Sequence, residues 1–129
     1  MPERWSVHAT ADACDVAMRA PGAGRVAADE VFVAGPLADD LRSAIRKVDR
    51  DALLRDAVDG WDEVVLDPRD ARSLWPRLCD QPLPEAAGYL QASVDGVPVR
   101  AVVEEGAVRI FARPPLAHHL RRRIDEERR

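Results

Sequence analysis

The sequence predicts an α+β fold in which helices pack on an antiparallel, meander-rich sheet. Residues 88–95, 97–104 and 107–113 alternate apolar and polar side chains, which is the pattern of strands with one face on a core. Asp95-Gly96 and Glu105-Gly106 separate these runs and favour tight hairpin turns. Other segments repeat apolar residues at helical spacing. A length of 129 residues is that of one domain.

Composition excludes several classes of protein. The net charge is −4, whereas sequence-independent nucleic-acid binding needs a basic face, so we expect no nucleic-acid partner. No run reaches the roughly 18 apolar residues of a membrane span, and residues 1–10 lack the apolar stretch of a signal peptide. We therefore expect a cytoplasmic protein that does not engage a membrane. Cys14 and Cys79 form no motif and are expected to be free thiols.

The first third of the chain gives weak signals. Residues 5–10 and 15–20 are short runs that predict a hairpin, and Cys14 is expected to lie in a strand. Residues 21–24, Pro-Gly-Ala-Gly, predict a turn. Residues 31–34, Val-Phe-Val-Ala, are continuously apolar and predict a strand buried on both faces.

An amphipathic helix is predicted over residues 36–47, with Pro36 in its first turn and Asp39 and Asp40 at its positive end. Its apolar stripe comprises Leu37, Leu41, Ala44, Ile45 and Val48. Residues 52–58 fit either an extension of this helix or a strand, and residues 63–67 predict a strand.

Two further helices begin at prolines. Asp67 is a good N-cap and Pro68 suits the first helical position. Pro76 lies within the apolar stripe of this helix, so we expect a kink, or an end and restart, near Leu74. The last helix starts at residues 114–115, and its far end is polar on all sides, which predicts fraying. Its stripe comprises Leu116, Ala117, Leu120 and Ile124.

The order from residue 52 onward is two strands, a helix, three strands and a helix, and its local motifs resemble a known family. Residues 65–74, Val-Leu-Asp-Pro-Arg-Asp-Ala-Arg-Ser-Leu, are similar to an "L-x-G-P-D-A-R-x-L-L" motif. Residues 88–99 resemble a "C-A-Q-T-x-L-A-G-V-P-V" hairpin, and residues 111–120 a closing "Y-V-P-R-S-Y-A-x-Y-L" motif. These motifs are those of the gamma subunit of heterotetrameric sarcosine oxidase, whose folate-binding-type domain is related to the glycine-cleavage T-protein.

The resemblance implies a shortened double repeat of the β2-α-β3-α type. Residues 1–51 would form a truncated first repeat and residues 52–129 the second, within a single domain of residues 1–129. Ala57 stands where the family usually has serine, and Asp67 where it has glycine. The resemblance also implies that this chain carries no catalytic residue and no cofactor, and that larger oxidoreductase subunits hold FAD, FMN, NAD and a folate site.

The candidate functional residues are Trp61, Tyr89, Arg100 and Phe111. Alternation along the three-strand meander places Tyr89, Arg100 or Val102, and Phe111 on the face opposite the predicted core. Aromatic residues and arginine concentrate binding energy at protein interfaces, so these four residues are an interface hypothesis. Packing of the same side chains inside a fold with both faces covered is the alternative.

Other groups are more simply explained as surface features. His118 and His119 are adjacent on a helix and point about 100° apart, so they do not easily share a metal. We also expect solvated surface at Asp56, Asp59, Asp62, Glu63, Glu104, Glu105 and the arginines of residues 121–123, and a turn rather than a phosphate cradle at Gly22 and Gly24. No nucleophile, metal-ligand or phosphate-loop motif is present in the sequence.

Three functional hypotheses follow. The first is a non-catalytic, gamma-like subunit that assembles or stabilises a flavin-dependent amine or sarcosine-type oxidoreductase. The second is a free-standing module that binds a folate-like small molecule or has a regulatory role. The third, a small enzyme, would have to use residues such as Asp56, Cys79, His118 or His119.

Overall fold

In the computed structural model, residues 3–128 are described. Over these residues the chain forms four α-helices and eight β-strands, and the strands make two antiparallel four-stranded sheets. The predicted α+β class, with antiparallel sheets and packed helices, is confirmed. The chain divides into two compact units, the first ending at Asp59 and the second beginning at Gly60. The assignment of one domain with repeats divided at residues 51 and 52 stays a prediction.

The first unit contains one four-stranded sheet and two helices. Its sheet has the order β2-β3-β1-β4, and neighbouring strands are antiparallel. Its elements are β1 (Trp5–His8), α1 (Ala11–Ala17), β2 (Ala23–Ala27), β3 (Glu30–Val33), α2 (Asp39–Val48) and β4 (Leu53–Asp56).

The hairpin predicted over residues 5–20 is wrong, because a helix follows β1. The Thr10 hydroxyl accepts a hydrogen bond from the Ala13 backbone N–H at 3.3 Å and caps α1. One face of α1 is buried through Ala13, Cys14 and Ala17. Cys14 therefore lies on the buried face of a helix, and the strand partners of β1 are β3 and β4 rather than residues 15–20.

The turn predicted at residues 21–24 is confirmed only in its first half. Gly22 has a φ of +78°, and a Cβ there would approach the Ala34 carbonyl oxygen to 3.0 Å, so the position needs glycine. Ala23 already begins β2, a strand that the sequence did not predict. β3 is buried on both faces, as its continuous apolar run predicted.

The helix predicted over residues 36–47 exists but begins later. Its N-cap is Ala38, so Pro36 lies outside it, while Asp39 and Asp40 occupy its first turn as predicted. Val48, assigned to the buried stripe, is exposed at its end. Residues 53–56 form the strand β4, so this segment is a strand and not an extension of the preceding helix.

The second unit follows a 3-10 turn at Val58–Gly60. Its sheet has the order β5-β8-β7-β6, again antiparallel throughout. Its elements are β5 (Asp62–Leu66), α3 (Pro68–Leu78), β6 (Gly88–Val94), β7 (Val97–Val103), β8 (Val108–Ala112) and α4 (Pro114–Glu127). The three strands predicted as a meander are confirmed, with the first turn at Asp95 and Gly96, both of positive φ.

Helix α3 begins as its sequence predicts. The Asp67 carboxylate accepts hydrogen bonds from the backbone N–H groups of Arg69 and Asp70, and Pro68 is the first helical residue. The helix does not end near Leu74 but continues through Pro76 to Leu78, so that part of the prediction is wrong. Pro76 has no N–H to donate to the carbonyl four residues earlier, so α3 continues through this position with one intrahelical hydrogen bond missing.

The core of the second unit lies between one face of its sheet and helices α3 and α4. Leu116, which was predicted to lie in the buried stripe of α4, is exposed. Helix α4 continues to Glu127, so the predicted fraying does not begin at residue 121. The core includes Leu66, Leu74, Trp75 and Leu78, alternate residues of the strands such as Val99, Ala101 and Ile110, and Ala117, Leu120 and Ile124 of α4.

Candidate functional site

The four predicted interface residues all belong to the second unit. Trp61 directly precedes β5, Tyr89 lies on β6, Arg100 on β7 and Phe111 on β8. In the sheet register Arg100 is opposite Phe111, and Tyr89 is opposite Val102. Their chain neighbours Leu90, Ala101 and Ile110 face the helices. The side chains on the strands therefore lie on the sheet face opposite the helices, as alternation predicted.

Trp61 is the centre of an arginine cluster. The Cζ atoms of Arg100 and Arg113 lie 4.2 Å and 4.0 Å from the Trp61 ring centroid. Arg113 also donates a hydrogen bond to the Gly60 carbonyl at 2.9 Å, which fixes its guanidinium next to the ring. A guanidinium over an indole contributes roughly 0.5–2 kcal/mol. The cluster therefore joins the start of β5 to β7 and to the residue after β8.

A third arginine, Arg109, lies beside Phe111, with its Cζ 5.2 Å from the ring centroid. It donates hydrogen bonds to Glu63 at 2.8 Å and 3.3 Å and to Glu104 at 3.2 Å. Burial lowers the pKa of the Arg109 guanidinium, but the hydrogen bonds and charges of Glu63 and Glu104 outweigh it and raise the pKa above its ordinary value. Arg109 stays charged, so it can organise or bind an anion but cannot transfer a proton.

Exposure divides the four residues into two pairs. Phe111 is 0% exposed and Trp61 is 6% exposed, so both rings are buried within this chain. Tyr89 and Arg100 are half-buried. The Tyr89 hydroxyl donates to the Gln91 side-chain oxygen at 2.8 Å. Contact of these four residues with a partner chain stays a prediction, and such a partner would meet Tyr89 and Arg100 before the two buried rings.

The residues that were predicted to be simple surface features differ in their surroundings. Glu63 was expected to be solvated but is part of the nearly buried pair with Arg109, so that expectation is wrong. Asp56 accepts a hydrogen bond from the Val58 backbone N–H at 2.9 Å. His118 and His119 are exposed on α4. Within residues 3–128 no three His, Cys, Asp or Glu side chains are grouped as metal ligands.

Sequence reasoning missed two surface cavities of the second unit. One, of about 480 Å³, is lined by the end of α3 and the segment that follows, including Arg72, Trp75, Pro76 and Leu83. The other, also of about 480 Å³, lies between residues 79–81 and residues 91–93 of β6. Apart from the prolines and Trp75, the sequence carries no signal for them. The first depends on how the segment after α3 folds back against that helix, and the second joins this segment to β6.

Comparison with known proteins identifies the fold. No family model and no curated protein matches the sequence. A chain of heterotetrameric sarcosine oxidase from Corynebacterium sp. U-96, solved in complex with pyrrole 2-carboxylate, is similar in structure with a TM-score of 0.73. The match covers 97% of this chain and 78% of that chain at 14% sequence identity. This chain therefore has the fold of that chain. None of its helices within residues 3–128 is long and apolar enough to cross a bilayer.

Proposed function

We propose that this chain is a small, non-catalytic, gamma-like subunit that assembles or stabilises a flavin-dependent amine or sarcosine-type oxidoreductase complex. The observation that carries the proposal is the structural match to a sarcosine oxidase chain over 97% of this chain. Local motifs in residues 65–74, 88–99 and 111–120 resemble the gamma subunit independently of that match.

The chemistry of the candidate site supports a binding role rather than a reacting one. The side chains gathered on the face of the second sheet opposite its helices include aromatic rings and arginines, and Glu63 and Glu104 bind Arg109. Such groups recognise surfaces by stacking and bidentate hydrogen bonding. In this proposal FAD or FMN, NAD and folate belong to the larger subunits, and the complex is cytoplasmic.

The test is affinity purification of the tagged chain, expressed at its native level in its own host. The expected result is co-purification of larger chains that mass spectrometry identifies as a flavoprotein, together with visible flavin absorbance and oxidase activity on sarcosine or a related amine. Recovery of the chain without any flavoprotein would contradict the proposal.

A matched pair of variants connects this test to the site. Arg100→Ala removes one guanidinium from Trp61 and is expected to reduce the recovered flavin at least tenfold, since interface arginines are frequent hot spots. Arg122→Ala removes an exposed arginine of α4 and is expected to leave recovery unchanged. Circular dichroism of both variants establishes that each is folded. Equal recovery from the two variants would show that a different surface carries the assembly.

A second candidate function, binding of a folate-like small molecule, is favoured by the cavity at the end of α3. Its volume of about 480 Å³ lies within the range of small-molecule sites. Trp75 and Pro76 give it an apolar wall, and Arg72 supplies a cation for a ligand carboxylate. Isothermal titration calorimetry with tetrahydrofolate tests it. Heat that is lost in an Arg72→Gln variant supports the binding role, and no heat with the wild-type chain removes it.

A further inference from the structure

The four edge strands of the two sheets differ in how they are protected against pairing with another strand. β5 carries Asp62 and Glu63, and β4 carries Arg55 and Asp56. β2 has an irregular register between Arg25 and Ala27. Charges and bulges of this kind block the addition of a further strand. β6 has the sequence Gly-Tyr-Leu-Gln-Ala-Ser-Val, with no charge, no proline and a regular register along all of its seven residues.

The outward backbone groups of β6 can be identified from the turn. Val94 and Val97 flank the two-residue turn, so they form a hydrogen-bonded pair, and such pairs alternate along the ladder. Ser93 is then in a non-hydrogen-bonded pair, which agrees with its partner Pro98 having no N–H. The backbone N–H and C=O of Gln91 and Ser93 therefore point away from β7. Both residues are exposed, and within residues 3–128 these groups have no backbone partner.

The same edge carries apolar side chains on its helix side and has a cavity beside it. Leu90 and Ala92 face the helices and are only half-buried. The second cavity adjoins the small side chain of Ala92, between β6 and residues 79–81. A strand added beside β6 would place a side chain in this cavity.

We propose that β6 pairs antiparallel with β6 of a second copy of this chain, about a two-fold axis at Gln91. Gln91 then lies opposite Gln91 of the second copy, and their outward N–H and C=O groups bond to each other. In this register Leu90 of each copy is opposite Ala92 of the other. The half-buried leucine of one copy thus meets the cavity beside Ala92 of the other, and the two second-unit sheets become one continuous sheet.

The positions of Leu90 and Ala92, one on each side of Gln91, favour a second copy as the occupant, and charge opposes such self-pairing least at β6. Two chains of net charge −4 repel each other, and like charges placed directly opposite across a strand pair are unfavourable. β6 is the one described edge strand where self-pairing brings no charged side chains together. A single strand pair is a small interface, below about 1,200 Å², so the dimer is expected to be weak and concentration-dependent.

Sedimentation equilibrium of the whole purified chain, from micromolar to near-millimolar concentration, tests the pairing. The wild-type chain is expected to shift from monomer to dimer with a micromolar dissociation constant. Gln91→Pro removes the outward N–H without touching the bonds to β7, and it is expected to weaken dimerisation more than tenfold. Gln91→Thr keeps the N–H and suits a strand, so it should dimerise like the wild type. A wild-type chain that stays monomeric overturns the proposal.

A charge exchange tests the register without proline. Because residue 91 faces itself across the axis, Gln91→Lys alone and Gln91→Glu alone are each expected to weaken dimerisation about fivefold. An equimolar mixture of the two variants should restore it, since lysine then faces glutamate. Equal weakening in the mixture, or no weakening in either variant, contradicts pairing centred on Gln91.

Amide hydrogen exchange gives a reading that needs no variant. The Gln91 amide is expected to exchange more slowly as the wild-type concentration rises, while the amide of exposed Asp95 in the turn does not change. The dimer proposal would be overturned if protection of Gln91 did not depend on chain concentration and arose only when a larger flavoprotein subunit was added. That result would identify the larger subunit as the partner of β6. The dimer proposal is independent of the proposed oxidoreductase role.

Discussion

The two units share an order of elements but differ in their fourth strand. Each has a first strand, a helix, an antiparallel hairpin and a second helix: β1-α1-β2-β3-α2 and β5-α3-β7-β8-α4. In both, the first strand pairs with the second strand of the hairpin. The first unit adds β4 beyond β1, and the second adds β6 beyond β7. The shared elements occur in the same order in both units, and the added strands give each sheet a different edge.

The first helix of each unit uses a different kind of side chain for its core. α1 buries Ala13, Cys14 and Ala17, whereas α3 buries Leu74, Trp75 and Leu78 together with Ala71. A helix with small buried residues needs close approach to its neighbours, and one with large residues fills more space between layers. The first unit should therefore be sensitive to added volume, and the second to lost volume.

The largest expected effect is a cavity in the second unit. Trp75→Ala removes a nearly fully buried ring and the hydrogen bond from its Nε1 to the Gln81 carbonyl, so the free energy of unfolding should fall by about 3–5 kcal/mol. Urea denaturation followed by circular dichroism measures it. Trp75→Phe keeps most of the volume and should cost about 1–2 kcal/mol, mainly for the lost hydrogen bond. Equal losses in the two variants would contradict the importance of ring volume.

The next effect concerns the acidic partners of two arginines. Glu63 and Arg109 form a pair whose side chains are 12% and 13% exposed, so Glu63→Ala leaves a nearly buried charge short of a partner and should cost about 2–3 kcal/mol. Asp15 pairs with Arg25 at 2.6 Å in the first unit, but Asp15 is 70% exposed. Asp15→Ala should therefore cost less than about 1 kcal/mol in the same denaturation assay. A larger loss at Asp15 than at Glu63 would reverse the comparison.

Added volume should destabilise the first unit by a smaller amount. Ala13 is fully buried on α1, so Ala13→Leu should lower the free energy of unfolding by about 1–3 kcal/mol through overpacking. Ala11 begins the same helix but is exposed, and Ala11→Leu serves as the control with a change within about 0.5 kcal/mol. Identical stability of the two leucine variants would show that the core around Ala13 accommodates the added volume without strain.

The smallest expected effect is the difference in stability lost when the N-cap side chain of α3 or of α1 is removed. Asp67 accepts from two backbone N–H groups of α3, at 2.8 Å and 3.4 Å, and its charge suits the positive end of a helix. Thr10 accepts from one at 3.3 Å. We expect a cost of about 1–2 kcal/mol for Asp67→Ala and about 0.5–1 kcal/mol for Thr10→Ala. Thermal unfolding of both variants measures the difference, and a greater loss at Thr10 would contradict it.

The second unit was predictable from sequence because its signals are local. Asp67 before Pro68, the Asp95-Gly96 turn and the alternation along three strands each act within a few residues. These signals also placed Tyr89, Arg100 and Phe111 on one sheet face correctly. They could not give the burial of Phe111 or the stacking of Arg100 and Arg113 on Trp61, because those contacts join residues far apart in the chain.

The first unit was less predictable for the opposite reason. α1 has seven residues, three of them alanine, and no large apolar stripe to mark its period. β2, Ala-Gly-Arg-Val-Ala, has little intrinsic strand preference and is held by pairing with β3. Arg25 adds hydrogen bonds from β2 to the Ala11 and Ala28 carbonyls, which no local pattern encodes.

Native mass spectrometry of the tagged chain, purified from its own host under conditions that keep complexes intact, tests the proposed subunit role most directly. The predicted result is a heteromeric assembly whose mass accounts for this chain, larger chains and bound flavin, and from which this chain dissociates without flavin. A spectrum with only the free chain or its own dimer, from extracts in which the flavoprotein oxidase is demonstrably intact, would contradict the proposed role.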